Sequence, residues 1–126
     1  MATILLVDDD PLQAFVRKSI LEKRFHDVQR VADASEALCL VEQPQFAGKL
    51  GLVISGLQMP GISGPAFVAE LHSRMPGLPV LVLGGASEAP SDYMAEGVRF
   101  LSRPFGIEEV LTMASQMLAP NGSRIR

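Results

Sequence analysis

The stretch "ILLVDDDP", residues 4–11, carries the signals that decide the fold. Its continuous apolar run at residues 4–7 is typical of a strand covered on both faces, as in a parallel sheet. Asp10 follows as a helix cap, and Pro11 stands at the first helical position, where proline's missing N–H loses no hydrogen bond. The stretch therefore predicts a buried strand that passes through an acidic turn into a helix.

The same strand-and-helix unit recurs along the rest of the chain. Four more apolar runs predict strands at residues 28–32, 52–55, 80–83 and 98–101. Helical spacing and capping residues predict helices that begin near residues 11, 33, 63, 89 and 107. Five strands alternating with five helices predict an α/β fold, a parallel sheet with helices on both faces.

Helical spacing also predicts which side chains face the core. In the first helix, the apolar residues at helical spacing are Leu12, Phe15, Val16, Ile20 and Leu21. We expect these residues to point inward and the charged residues of the helix to face away. Cys39 is the single cysteine, so an internal disulfide is excluded, and within the second predicted helix we expect it to be a small buried side chain.

Length and composition favour one domain, predicted at residues 1–119 with a flexible tail at 120–126. Of the 126 residues, 48% are hydrophobic, and the mean hydropathy is +0.25, which fits a well-filled core. A net charge of −3 and a pI near 5.3 give no general attraction to nucleic acid or to anionic membranes. No segment approaches the roughly 20 apolar residues of a membrane span. No signal peptide is visible, so we expect a cytoplasmic protein.

The candidate site follows from where the predicted strands end. In an open parallel sheet the functional crevice lies beyond the carboxyl ends of the strands. The first strand ends at Asp8, Asp9 and Asp10, the third at Gly56 and the fourth at Gly84. Two adjacent carboxylates suit Mg²⁺, which prefers hard oxygen ligands, but acids also suit the start of a helix. From the residues alone, both interpretations stay open.

Four segments in fixed order carry a resemblance to a known family: "ILLVDDDP", "LQMPGISG", "PVLVLGG" and "FLSRPF". They resemble the successive motifs of the response-regulator receiver domain of two-component signalling, over about residues 3–118. The resemblance implies a flavodoxin-like fold, whose five-stranded parallel sheet has the order 2-1-3-4-5. It also implies a place in a phosphorelay, in which a kinase histidine gives a phosphoryl group to an aspartate at the end of the third strand.

At the positions that carry this chemistry in the family, the sequence departs from the pattern. The acceptor aspartate corresponds to Gly56, the phosphate-binding hydroxyl to Gly84, and the phosphate-pairing lysine to Arg103. The aromatic switch residue corresponds to Phe100, which has no hydroxyl. Without a carboxylate at residue 56 the nucleophile is missing, so we expect no catalytic residue and no enzymatic activity.

Three family positions are retained. Asp8 and Asp9 match the acids that help to hold Mg²⁺, and Pro104 matches a proline whose preceding peptide bond receivers typically hold in the cis form. We favour an ion pair of Arg103 with Asp8 and Asp9 over a Mg²⁺ site, because the third carboxylate is missing. No cofactor is therefore expected, with Mg²⁺ as the alternative.

These departures predict a receiver-type module that is not itself phosphorylated and acts as a phosphorylation-independent protein–protein interaction domain. Its expected partner is a kinase, a regulator or an output domain of a signalling pathway, with no nucleic acid and no membrane. The expected interaction face lies between the fourth and fifth predicted helices. Phe100 is its switch residue, Tyr93 and Met94 are its contacts, and the same face is a candidate for a homodimer.

Two other functions stay open. One is a phospho-receiver with a substitute acceptor, and the other is a small-ligand sensor that uses the space emptied at Gly56 and Gly84. Ser55 precedes the acceptor position, and strand alternation places it on the opposite face. His26 and His72 are expected to be surface residues, because nothing near them in the sequence orients an imidazole.

Overall fold

Five segments of the chain form five parallel strands in one sheet, in the order β2-β1-β3-β4-β5. The computed structural model of the chain describes residues 2–56, 62–84, 97–102 and 105–118. The strands are β1 (Thr3–Val7), β2 (Asp27–Val31), β3 (Leu50–Gly56), β4 (Val80–Gly84) and β5 (Val98–Ser102). The predicted strand order and the parallel α/β architecture are confirmed.

The described helices lie on both faces of the sheet, as predicted. They are α1 (Pro11–Leu21), α2 (Ala34–Val41), α3 (Pro44–Ala47), α4 (Gly64–Arg74) and α5 (Ile107–Leu118). α1 and α5 share one core cluster with the sheet, and α2, α3 and α4 share the other. The four-residue α3 has no counterpart among the predicted helices, and the helix and tail predicted at 89–96 and 120–126 lie outside the described residues. In the described part of the chain, no helix has the length and apolarity to cross a membrane.

Alternation along the strands divides the core into two layers. In β1, Ile4 and Leu6 point toward α1 and α5, whereas Leu5 and Val7 point toward the helices of the opposite face. All four side chains are fully buried. Burial on both faces explains why this strand reads as a continuous apolar run. The polar residues available for a functional site are therefore those that follow the carboxyl end of this strand.

α1 buries a different face from the one predicted. Its buried residues are Ala14 and Leu21, and Ile20 is half-buried. Three residues that were expected to face the core are exposed instead: Leu12, Phe15 and Val16. The prediction of the inward stripe is therefore wrong for the first turns of this helix.

The observed orientation of α1 follows from a buried charge at the end of β1. Ala14, Arg17 and Leu21 are three and four residues apart, so they share one face of the helix. Arg17 on this face reaches the carboxylate of Asp8, which is buried. The more apolar stripe of α1 is not the buried one here. The helix instead turns Arg17 inward, because the buried carboxylate of Asp8 needs a cation beside it.

Cys39 lies on the outer side of its helix. α2 buries Ala34, Ala37 and Val41, which are three and four residues apart and face the sheet. Cys39 stands two residues from both Ala37 and Val41, and this spacing turns it away from them. It is exposed, so the expectation of a buried cysteine is wrong.

Candidate functional site

The carboxyl ends of neighbouring strands meet at one edge of the sheet. β1 pairs with β3 so that Val7 lies beside Ser55, and the residues that follow them are Asp8 and Gly56. On the other side of β3, β4 ends at Gly84. Three of the positions predicted from the sequence are therefore brought together at this edge, which we call the carboxyl edge.

Asp8 is the buried acid of the carboxyl edge, with only 4% of its surface exposed. Its Oδ2 lies 2.9 Å from Nη1 of Arg17, and its Oδ1 accepts a hydrogen bond of 3.0 Å from the main-chain N–H of Asp10. Its main-chain oxygen accepts two hydrogen bonds from Arg30, of 3.1 Å from Nε and 2.8 Å from Nη2. Both carboxylate oxygens are engaged, and the charge is matched by the chain's own guanidinium.

Arg17 is a cation beside Asp8 that the sequence did not predict. Arg103, which was expected to pair with Asp8 and Asp9, lies outside the described residues. Arg17 comes from the second turn of α1, and its guanidinium also lies 6.0 Å from the ring centroid of Phe105. The sequence does contain a clue to this pair. Arg17 is three residues from Ala14 and four from Leu21, so it lies on the buried face of α1, near the end of β1.

The three acids between β1 and α1 do not fit a Mg²⁺ site. Asp10 caps α1, because its Oδ1 accepts hydrogen bonds from the N–H groups of Leu12 and Gln13 at 3.0 and 3.1 Å. Asp9 is exposed. Among the described residues, no three acids, histidines or cysteines are placed to hold a metal ion. Mg²⁺ binds through oxygen ligands. The buried carboxylate of Asp8 is already paired with the guanidinium of Arg17.

Gly56 has no side chain at the acceptor position. Among the described residues, a Cβ added to it would contact only the main-chain oxygen of Val7, at 3.9 Å. The neighbouring Ser55 is buried, and its Oγ donates a hydrogen bond of 2.8 Å to the main-chain oxygen of Gly56. Neither residue therefore presents a carboxylate or a free hydroxyl to the carboxyl edge.

The ring of Phe100 lies directly against Gly84. A Cβ added to Gly84 would overlap Cζ of Phe100 and would lie 2.7 and 2.9 Å from Cε2 and Cε1 of that ring. β4 and β5 are in register with Val82 beside Phe100 and Gly84 beside Ser102, so the ring reaches forward along its own strand. The ring of Phe100 thus fills the space in which any side chain at residue 84 would begin.

Both histidines lie away from the carboxyl edge. His26 is exposed and precedes β2. His72, on α4, is half-buried, and its Nε2 lies 2.8 Å from the main-chain oxygen of Leu78, which precedes β4. His26 therefore agrees with the expectation of a surface residue, whereas His72 is oriented by a main-chain hydrogen bond.

Some residues singled out in the sequence lie outside the described residues. They are Tyr93, Met94, Arg103 and Pro104, together with the cis peptide bond predicted before Pro104. Phe105, which follows them, is half-buried and packs against the core cluster of α1 and α5. The described part of the site therefore consists of Asp8, Gly56, Gly84 and Phe100, with Arg17 added by the structure.

Comparison with known proteins gives three kinds of match. The family described as response regulator receiver domain matches residues 4–115. The "Probable transcriptional regulatory protein TcrX" of Mycobacterium tuberculosis is 30% identical over 124 residues, or 95% of this chain and 51% of that protein. The crystal structure of the receiver domain from the hybrid histidine kinase CckA is 31% identical, with a TM-score of 0.75 over 93% of this chain and 99% of that one.

A further solved structure supports the fold alone, because its sequence identity is only 22%. It is a response regulator receiver domain protein from Clostridium thermocellum, with a TM-score of 0.87 over 97% of this chain and 98% of that one. The chain spans 51% of the length of TcrX. It spans 12% of the sensor kinase CckA of Brucella abortus and 25% of the regulatory protein DctD of Pseudomonas aeruginosa. These matches compare the chain with a domain of those longer proteins.

Proposed function

The chain belongs to the response regulator receiver family, and from this premise we propose that it binds protein partners without being phosphorylated itself. As a receiver domain it is a module of two-component signalling. Its partner in this proposal is a kinase, a regulator or an output domain of a signalling pathway. It carries no catalytic residue of its own.

The observation that carries the proposal is the glycine at residue 56, where the family has its acceptor carboxylate. Transfer of a phosphoryl group to a receiver requires a carboxylate nucleophile at the end of β3. Glycine supplies none, and the Oγ of Ser55 is turned into a hydrogen bond with the main chain. The hydroxyl of Ser55 is therefore poorly placed to serve as a substitute acceptor.

The ion pair between Asp8 and Arg17 supports the same proposal. Phosphoryl transfer relies on a divalent cation to neutralise the charge that develops on the phosphoryl oxygens. Here a guanidinium nitrogen of Arg17 lies 2.9 Å from one carboxylate oxygen of Asp8, so this acid is already paired with a cation. Arg17 is therefore the cation that pairs with Asp8 in the unmodified chain.

The packing of Phe100 on Gly84 supports a single conformation of the module. In the family this aromatic residue reports the switch, and the residue at position 84 is the hydroxyl that binds phosphate. Here the ring occupies the space next to Gly84 in the unmodified chain. We expect the binding surface to be formed constitutively, so that partners bind the unmodified chain.

We predict that a phosphodonor leaves the conformation of the chain unchanged. Two-dimensional amide NMR spectra are recorded before and after addition of acetyl phosphate with Mg²⁺. We expect the signals of residues 8, 56, 84 and 100 to stay in place, because neither the nucleophile nor the metal site is present. Shifts at these residues that require both reagents would contradict the proposal.

The matched comparison is a chain in which the family residues are rebuilt. In the triple variant Gly56→Asp, Gly84→Thr and Arg103→Lys, the nucleophile, the hydroxyl and the lysine are all present. Gly84→Thr also requires the ring of Phe100 to move, so circular dichroism first confirms that the variant folds. We expect this variant to respond to acetyl phosphate and Mg²⁺ more strongly than Gly56→Asp alone. Shifts that appear without Mg²⁺ and follow the concentration of acetyl phosphate in the unsubstituted chain would favour the small-ligand sensor instead.

A further inference from the structure

One charged residue is buried in the described part of the chain, and it is Asp8 at the end of β1. A carboxylate at this depth costs free energy unless a cation lies beside it. Nη1 of Arg17 lies 2.9 Å from Oδ2 of Asp8, and Oδ1 accepts a hydrogen bond from the main-chain N–H of Asp10. Each carboxylate oxygen therefore has a donor, and the charge is met by a guanidinium of the same chain.

The fold of α1 brings this guanidinium to the carboxyl edge. The side chain of Asp10 caps the helix, which fixes its start directly after the end of β1. Arg17 lies in the second turn, on the same face as the buried Ala14 and Leu21. Helical side chains lean toward the start of their helix, so a long side chain in the second turn can reach the acid that precedes it.

The ring of Phe105 lies on the other side of the guanidinium. The distance from Cζ of Arg17 to the ring centroid is 6.0 Å, at which an aromatic ring attracts a cation. Phe105 is half-buried and packs against the core cluster of α1 and α5. A turn of Arg17 into water would therefore give up both the ion pair with Asp8 and the contact with this ring.

A guanidinium beside Asp8 opposes the binding of a second cation there. Mg²⁺ and related ions bind through carboxylate oxygens. A positive charge next to the same carboxylate repels them, and the repulsion is stronger at a buried site than in water. Of the two acids that follow, Asp10 is committed to capping α1, so the exposed Asp9 is the acid that remains.

We propose that Arg17 and a divalent cation are alternative partners of Asp8, and that Arg17 is the residue that keeps divalent cations from the carboxyl edge. This inference rests on the proposed function and deepens it. Gly56 removes the nucleophile of the family, which is a loss. Arg17 adds a positive charge at the acid that matches a Mg²⁺ ligand of the family, so the chain has a second, independent obstacle to phosphorylation.

Mn²⁺ is a suitable probe, because it takes the same oxygen ligands as Mg²⁺ and the free ion is measured by electron paramagnetic resonance. The ion is titrated into the unsubstituted chain and into Arg17→Gln, which removes the charge but keeps a side-chain N–H. We expect Arg17→Gln to bind Mn²⁺ at least about tenfold more tightly, because a neighbouring unit charge changes such equilibria by about one to three powers of ten.

Two further variants show whether the effect belongs to this pair. Lys18→Gln removes the same charge from the next residue of α1, whose Nζ lies 3.2 Å from Oε2 of Glu22. We expect its affinity for Mn²⁺ to equal that of the unsubstituted chain. In Arg17→Gln with Asp8→Asn, the gain should disappear with the carboxylate. Circular dichroism records whether each variant folds, and Mn²⁺ should refold Arg17→Gln if the loss of the guanidinium unfolds it.

Four results overturn the inference. The first is an unsubstituted chain that binds Mn²⁺ as tightly as Arg17→Gln does. The second is an equal gain in Lys18→Gln, which would reflect net charge alone. The third is a gain that survives Asp8→Asn, and the fourth is an unfolded Arg17→Gln that Mn²⁺ does not refold.

The same variants separate this inference from the proposed function. Arg17→Gln still has glycine at residue 56, so acetyl phosphate with Mg²⁺ should leave its mass unchanged. Equal affinities for Mn²⁺ in an unphosphorylated chain would contradict the role of Arg17 alone. A phosphorylated unsubstituted chain, with the gain in affinity for Mn²⁺ still confined to Arg17→Gln, would contradict the proposed function alone.

Discussion

Replacing Arg17 by methionine is expected to lower the free energy of unfolding by about 3 kcal/mol. The change keeps most of the apolar stem but removes the guanidinium 2.9 Å from the carboxylate of Asp8. Asp8 is 4% exposed and cannot turn to water without moving the end of β1. An uncompensated buried charge is the main cost. Urea unfolding at neutral pH measures the difference.

The opposite half of the pair should be less sensitive. Asp8→Asn removes the charge and leaves Arg17, whose side chain is 18% exposed and can move toward solvent. In the double variant Asp8→Asn with Arg17→Met, we expect the unfolding free energy to recover above that of Arg17→Met alone. Equal and additive losses in both single variants would show that the ion pair does not stabilise this edge.

Adding a single methyl group at Gly84 is expected to destabilise the chain by about 1–3 kcal/mol. The new Cβ would overlap the ring of Phe100, which would have to leave its position against the core. Gly84→Ala is the smallest change that tests this contact, because alanine adds no polar group. Thermal or urea unfolding gives the loss directly.

The sign of this effect should reverse when the ring is removed. In a Phe100→Ala background the space beside Gly84 is free, and Gly84→Ala should then stabilise the strand by about 0.5–1 kcal/mol through reduced backbone entropy of the unfolded chain. Gly56→Ala is the matched control at the edge, since its Cβ meets nothing closer than 3.9 Å. Equal losses from Gly84→Ala in both backgrounds would rule out the proposed contact with the ring.

The central strands β1, β3 and β4 are predictable from the sequence because they are buried on both faces, whereas the edge strands β2 and β5 are only partly buried. Continuous apolar runs such as residues 4–7 and 80–83 are typical of strands in a parallel sheet that is covered on both faces. The cap at Asp10 and the proline that follows it fix the start of α1 to within a residue. The positions at the carboxyl edge follow from the same strand ends.

Hydrophobic periodicity fails where a side chain is chosen for its charge. In α1 the more apolar stripe is outside and the stripe with Arg17 is inside, because Asp8 is buried beneath it. A pattern of apolar residues contains no term for a charge pair between residues nine apart. The short α3 is missed for a different reason: four residues contain barely one turn of periodicity.

The contact of Phe100 with Gly84 also needs the structure. The sequence places these residues on neighbouring strands, but glycine at position 84 reads equally as an emptied pocket. Only the position of the ring shows that the space is filled by the chain itself. The ring of Phe100, and not a cavity, therefore lies directly beside Gly84.

The most direct test of the central claim is the intact mass of the chain after incubation with acetyl phosphate and Mg²⁺. The account predicts an unchanged mass, because Gly56 offers no carboxylate and Asp8 is held by Arg17. The triple variant with aspartate at residue 56 serves as the positive control. A mass increase of one phosphoryl group in the unsubstituted chain, mapped to an aspartate or serine at the carboxyl edge, would contradict the account.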